Sequence, residues 1–165
     1  MDPVSVSITV GRPREEVFDY LADIANHSEF TDHFLDDFHL TREDTVGRGA
    51  GARYRVKVPL QRFSWMGIQF MEVDRPWRIV AAGRGGKYNR IRSMIVYSLE
   101  PGPHDTTQLE MTVETVPGTP TDRVMEIVSG QRAWMRRQNR RALRRVRSIL
   151  EDGRRRGARA TIAAR

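Results

Sequence analysis

The densest run of side chains able to hold a metal or move a proton lies between Asn26 and His39. There His27, Glu29, Asp32, His33, Asp36, Asp37 and His39 mix imidazole with carboxylate. Such groups bind divalent cations, and His33 and Asp37 would share a face if a helix ran that far. The spacing matches neither His-Glu-x-x-His nor an EF-hand loop, so the run reads as a solvated acidic face pairing with nearby arginines. No metal and no other cofactor is assigned. Two glycine-rich pieces, 47–51 and 83–87, offer amides that could cradle a phosphate. The first precedes a strand rather than a helix, and the second lacks the full spacing and a Ser or Thr after Lys87. Both read as turns needing positive φ. The chain has no cysteine, which removes thiolate metal sites, disulfides and cysteine nucleophiles, and it has no Gly-x-Ser-x-Gly elbow. No catalytic residue is therefore assigned. What remains is a set of polar-tipped groups that could orient a ligand or polarise a carbonyl inside a cavity: Tyr54, Trp65, Tyr97 and Gln131, with Arg90 or Arg92 at its mouth. The aromatic members are equally ordinary core residues with a satisfied polar tip.

The elements that would position these groups follow from periodicity. Val4, Val6, Ile8 and Val10 alternate with polar residues and predict a half-buried strand. Pro13 suits a first helical position, Glu15 and Glu16 suit the dipole of a first turn, and Val17, Phe18, Leu21 and Ile24 form the apolar stripe of a short helix over 13–24. A second short helix follows, capped by Asn26 or Ser28, with Phe30, Phe34 and Leu35 as its stripe. Ala52, Tyr54, Val56 and Val58 alternate with charged residues in a strand. The run 63–73 offers two opposed alternations, Phe63, Trp65, Gly67, Gln69 and Met71 against Met66, Ile68 and Phe70, and periodicity does not choose between them. Strands over 77–82, 91–99 and 108–116 complete the sheet. After Pro117-Gly118-Thr119-Pro120, a helix capped by Thr121 or Asp122 carries Val124, Ile127, Val128, Met135, Ala142, Val146, Ile149 and Leu150 at three-and-four spacing for about eight turns, until Gly153.

A long antiparallel sheet with one apolar face, and one amphipathic helix to cover it, must curl around that helix. One helix is too narrow to fill the concavity, so an internal pocket is expected between sheet, long helix and the two short helices. At 165 residues the chain suits one domain, with the fold ending near residue 153 and a basic, frayed tail over 154–165. No apolar run approaches the roughly 20 residues of a membrane helix, and the first residues lack a signal pattern, so a cytoplasmic protein is expected. The net charge of +7 is uneven: Asp122 to Arg165 holds 14 arginines against 4 acids, while the rest of the chain is net acidic. Such a surface would attract nucleic acid in a salt-sensitive way, yet no aromatics are interleaved for base stacking, so nucleic acid is the less favoured partner.

The opening Ile8-Thr9-Val10-Gly11-Arg12-Pro13-Arg14-Glu15-Glu16-Val17-Phe18-Asp19-Tyr20-Leu21-Ala22-Asp23, with Asn26-His27-Ser28-Glu29-Phe30 after it, resembles the start of the START-like (SRPBCC, Bet v 1-like) superfamily, in particular its polyketide cyclase/dehydrase and lipid-transport branch. Glu72 to Val80 and Tyr97-Ser98-Leu99-Glu100-Pro101 are similar to later strands of that family. The resemblance implies an α+β helix-grip fold, a curved antiparallel sheet of six or seven strands around a long C-terminal helix, whose cavity takes a lipid, polyketide or other aromatic or isoprenoid molecule. The lining expected on that basis is Tyr54, Trp65, Phe70, Tyr97, Met111, Val128, Gln131 and Met135. Three functions stay open: binding of a small hydrophobic ligand, cyclase, aromatase or dehydratase chemistry in the same cavity, and engagement of RNA, a ribosome or a protein partner through the Arg-rich helix. A homodimer also stays open.

Overall fold

The computed structural model describes residues 2–57, 65–128, 130–154 and 156–162. β1 (Val4–Val10) buries Val4, Val6 and Val10 and turns Ser5 and Ser7 to solvent. α1 (Arg14–Ala22) buries Val17, Phe18, Leu21 and Ala22; Pro13 sits one position earlier than expected, at the N-cap with φ −56°. The Asp23 carboxylate accepts from the Ala25 N–H at 3.1 Å and opens a 3-10 turn, Ile24–Asn26, that runs into α2 (His27–Thr31). This second helix is shorter than its sequence suggests. Phe34 lies beyond it and Leu35 begins a strand, β2 (Leu35–Leu40). Asp36 and Asp37 do not line a helix face; they pair across strands with Lys57 at 2.8 Å and Arg55 at 3.3 Å.

The sheet continues through β3 (Gly51–Val56), β4 (Trp65–Asp74), β5 (Arg78–Gly85), β6 (Ile91–Pro101) and β7 (Thr107–Val116). Seven antiparallel strands run in the order β1-β7-β6-β5-β4-β3-β2. Two short helices follow the first strand, and the long helix at the C-terminal end packs against the curled sheet. β4 resolves the competing alternations. Before residue 71 the inward side chains are Met66, Ile68 and Phe70; the register shifts between Phe70 and Glu72, and beyond it Val73 pairs with the fully buried Ile79. The extra residue, Met71, is 49% exposed. Of the two alternations, Met66, Ile68 and Phe70 is the inward one, and the β-bulge that follows it brings Val73 inward; Val58 and Phe63 lie outside the described residues. Gly83 and Gly85, expected in a turn, belong to β5. A Cβ at Gly85 would overlap the Met66 sulfur and the Trp65 carbonyl, so close strand approach, rather than positive φ, requires glycine there. Positive φ is found at Gly86, at 72°.

The expected single long helix is two: α3 (Pro120–Val128) and α4 (Gln131–Asp152). Gly130 between them adopts the left-handed conformation, φ 62°, which ends one helix and turns the other away. α4 buries Gln131, Met135, Asn139, Ala142, Leu143, Val146 and Ile149 and stops at Gly153, whose N–H bonds to the Ile149 carbonyl at 3.0 Å. Where a frayed tail was expected, residues 156–162 return along the α2 corner: the Gly157 N–H bonds to the Glu29 carbonyl and that of Ala160 to Ala25, each at 3.0 Å, while Ile162 bridges in parallel to Leu40. No helix among the described residues is long and apolar enough to cross a membrane.

Candidate functional site

Between the concave face of the sheet, α2 and the first half of α4 lies a cavity of about 90 Å³. β3 supplies Tyr54 and Val56, β4 Met66 and Ile68, β6 Ile91, Ser93, Ile95 and Tyr97, and β7 Met111, Val113 and Thr115. These face inward because strand side chains alternate. α2 adds His27 and Thr31, and α4 adds Gln131, Met135 and Asn139, spaced four apart on one helix face. Its rim is half-buried at Gly86, Ile91, Phe38 and Val56, whereas His27, Tyr97 and Met111 close its floor.

The lining is mostly apolar with a few polar atoms at defined places. His27 is buried among the rings of Phe30, Phe70 and Tyr97, with centroids 5.2, 5.6 and 5.7 Å away. Its Nε2 lies 2.8 Å from the Leu21 carbonyl oxygen, an acceptor only, so that nitrogen carries the hydrogen. Burial holds its pKa down to about 4, so the ring is neutral near pH 7. Burial likewise pushes the Tyr54 and Tyr97 hydroxyls well above the usual tyrosine range, and both remain protonated. Four polar atoms in the lining, Ser93 Oγ, Gln131 Oε1 and the Oδ1 and Nδ2 of Asn139, are buried with no hydrogen-bond partner within the described protein. Asn139 is 0% exposed. Unpaired buried polar groups cost roughly 1–3 kcal/mol each, so such a set is rarely kept without a use.

Five of the eight residues expected from sequence, Tyr54, Tyr97, Met111, Gln131 and Met135, come together in this lining. The others do not. Phe70 is buried behind it, against His27. Trp65 is on the outer face, 36% exposed, beside Arg53 at 5.0 Å and His39 at 5.9 Å, because the inward phase of β4 before its bulge falls on even residues. Val128 is 77% exposed, since the Gly130 break carries α3 away from the helix that closes the cavity. Arg90 and Arg92 flank the lining residue Ile91 but face an adjoining surface depression with Tyr88. Sequence reasoning missed His27, Ser93, Thr115 and Asn139 as lining. Asn139 had a readable signal: it stands between Met135 and Ala142 on the apolar stripe, where any polar residue is out of place.

The acidic stretch is dispersed. Glu29 is buried, accepting from the Tyr20 hydroxyl at 3.0 Å and pairing with Arg156 at 3.2 Å. Asp32 is bound by Arg145, and the His33 Nε2 lies 3.3 Å from the Gln138 carbonyl. Among the described residues, no three His, Asp or Glu converge as metal ligands would. The Arg-rich face of the helices lines an outer groove that meets the cavity at Thr115.

A profile of the family "Activator of Hsp90 ATPase homolog 1-like protein" matches residues 12–144. No curated protein matches the chain by sequence. Among solved structures, the KanY protein superposes with a TM-score of 0.71 at 10% identity, covering 92% of this chain and 99% of its own. Truncated norcoclaurine synthase from Thalictrum flavum gives 0.66 at 12% identity, covering 92% and 94%. DynU16, from the dynemicin biosynthetic locus, gives 0.63 at 19% identity, covering 96% of this chain and 50% of that one. These likenesses concern the fold.

Proposed function

Because this chain belongs to the activator of Hsp90 ATPase homolog 1-like family, within the SRPBCC superfamily, we propose that it binds one compact, largely apolar molecule with a polar edge in the cavity between sheet and α4. The observation that carries this is the Asn139 amide, fully buried in the lining with donor and acceptor both unpaired. A ligand carbonyl or hydroxyl placed against Asn139, Gln131 and Ser93 would satisfy what the protein leaves open, while Met111, Met135 and Ile68 pack its apolar body. Size limits the choice. About 90 Å³ is less than the roughly 150 Å³ that accepts a benzene and far below the roughly 300–1,000 Å³ of drug-sized pockets. A small aromatic or a short isoprenoid segment therefore enters only as the half-buried rim residues Phe38, Val56 and Ile91 move outward, and a full lipid requires a larger opening. Cytoplasmic work without a metal or cofactor belongs to the same proposal.

A second function uses the same groups. Norcoclaurine synthase, an enzyme by its name, shares the fold, and with the rim open the protonated hydroxyls of Tyr54 and Tyr97 could polarise a carbonyl of a folded polyketide while the free Nδ1 of neutral His27 accepts a hydrogen bond, as a cyclase, aromatase or dehydratase would need. Native mass spectrometry of gently purified protein, with organic extraction of the same sample, separates the two. A co-purifying small molecule released intact supports binding; conversion of an added poly-β-ketone that stops on Asn139→Leu supports catalysis. Protein that stays empty and takes up no aromatic probe would end both. The same masses read whether one copy or two assemble.

A further inference from the structure

We propose that the end of the molecule around the cavity rim is a docking surface for an anionic lipid bilayer. Five large apolar or aromatic side chains are exposed there: Tyr88, Val116, Val124, Ile127 and Val128, each by half or more. They are neighbours. Tyr88 and Val116 line one surface depression, and Val116 and Ile127 line the adjoining groove. Val124, Ile127 and Val128, at three- and four-residue spacing, form one stripe of α3.

The patch sits on the cavity's rim through chain continuity. Tyr88 follows Gly86, Val116 follows Thr115, and α3 joins the lining residue Gln131 through Gly130. Around the apolar stripe the groove presents Arg123, Arg132, Arg136, Arg137, Arg140 and Arg144. Four of these repeat every fourth residue of α4, a row roughly 18 Å long. Among the described residues Arg132 meets Asp2 at 3.6 Å, and Arg136 and Arg140 meet no acid. A helix with an exposed apolar stripe beside a cationic row is the arrangement that lies in a headgroup layer, the stripe among acyl chains and the arginines on phosphates.

Nucleic acid fits this surface less well. Single strands are held by aromatic faces, the groove is lined by none, and the face of Tyr88 carries Arg90 at 4.8 Å and Lys87 at 5.2 Å. Nor does a phosphate backbone account for three exposed aliphatic residues in a row. Docking here would open the cavity onto the hydrocarbon layer, letting an apolar ligand pass without crossing water, but it requires only the surface and no particular ligand.

Sedimentation of the full chain with vesicles tests this, using phosphatidylcholine alone and phosphatidylcholine mixed with phosphatidylglycerol. The mixed vesicles should carry the protein down and the neutral ones should not. Ile127→Ser with Val128→Ser should lower partitioning at least about tenfold, and Arg136→Gln and Arg140→Gln about fivefold each. All of these side chains are exposed, so circular dichroism and thermal midpoint should not change, and uptake of a soluble aromatic probe into the cavity should persist. Absence of protein on mixed vesicles at low salt would overturn the proposal, as would retention undiminished by the α3 pair. Filter retention of RNA by a protein that ignores both vesicle types would reassign the arginines to nucleic acid.

Discussion

Replacing Asn139 with leucine should make the empty protein more stable and useless as a receptor. The side chain is 0% exposed, and its Oδ1 and Nδ2 both lack partners within the described protein. Two unpaired polar atoms cost roughly 1–3 kcal/mol apiece. A space of about 90 Å³ admits up to about three waters at roughly 30 Å³ each, so part of that cost is relieved in solution. Leucine is close in volume, keeps the apolar contacts of Met135 and Ala142, and favours helix more than asparagine does, by a few tenths of a kcal/mol. The net expectation is a gain of about 2 kcal/mol, or about 4–8 °C in thermal midpoint for a chain of this size. Urea unfolding followed by fluorescence and by far-ultraviolet dichroism measures it, with the slope against denaturant unchanged. Affinity for any ligand found by extraction should fall at least about tenfold, as expected when a hydrogen-bonding site is replaced by hydrocarbon. A destabilised Asn139→Leu protein, or one that binds as well as the parent, would refute the assignment of Asn139 as an unsatisfied ligand-facing group.

Three further expectations concern the frame of the site. The neutral His27 makes stability fall with acid: the unfolded chain takes a proton below its ordinary pKa of 6.5, while the folded one refuses it until about pH 4. Stability is therefore full above pH 6.5 and shrinks by roughly 3 kcal/mol on the way down to pH 4; urea midpoints of His27→Gln against the parent should converge by that amount, and parallel curves would refute it. Gly85→Ala should cost at least about 2–3 kcal/mol by forcing β4 and β5 apart, whereas Gly67→Ala, where an added Cβ meets nothing within 4 Å, should cost well under that; equal midpoints for the two in calorimetry would be inconsistent with the strand approach described. Gly130→Ala and Gly153→Ala both place a Cβ in open space at φ near +60°, so each should cost about 1 kcal/mol by conformation alone; stabilisation by Gly130→Ala would mean that α3 and α4 form one continuous helix in solution.

Much of this fold is legible in the chain. Alternation at Ala52, Tyr54 and Val56, and at Leu109, Met111 and Val113, gives both the strands and their buried face, and that is why Tyr54 and Met111 were placed correctly inside. Gln131 and Met135 were legible because a helix stripe tolerates few interruptions. Three features were hidden for physical reasons. A β-bulge reverses the inward phase of β4, so a single alternation does not describe both halves; periodicity leaves the inner face of that strand open, and Trp65 and Phe70 both stand in the expected lining. Gly130 breaks the helix without breaking the three-and-four spacing of apolar residues, so Val128 was carried inward with the rest. β2 is an edge strand whose outward positions are Asp36, Asp37 and His39, a composition that periodicity reads as a polar surface rather than a strand. Polar atoms aimed into a cavity leave the weakest trace of all: Asn139 at least interrupts an apolar helix stripe, but Ser93 looks like any polar strand residue until its neighbours are known.

The return of residues 156–162 to the α2 corner has a further consequence for association. Leu40 lies at the end of β2, the outermost strand on that side of the sheet, and its N–H already bonds to the Thr161 carbonyl at 3.2 Å. A neighbouring molecule seeking to extend the sheet there would first have to peel this segment off, along with the grip of Arg159 on Asp23 and Arg156 on Glu29. The chain thereby shields its own exposed margin from strand-to-strand aggregation, and removing its last residues should show first as turbidity at high concentration rather than as loss of cooperative unfolding.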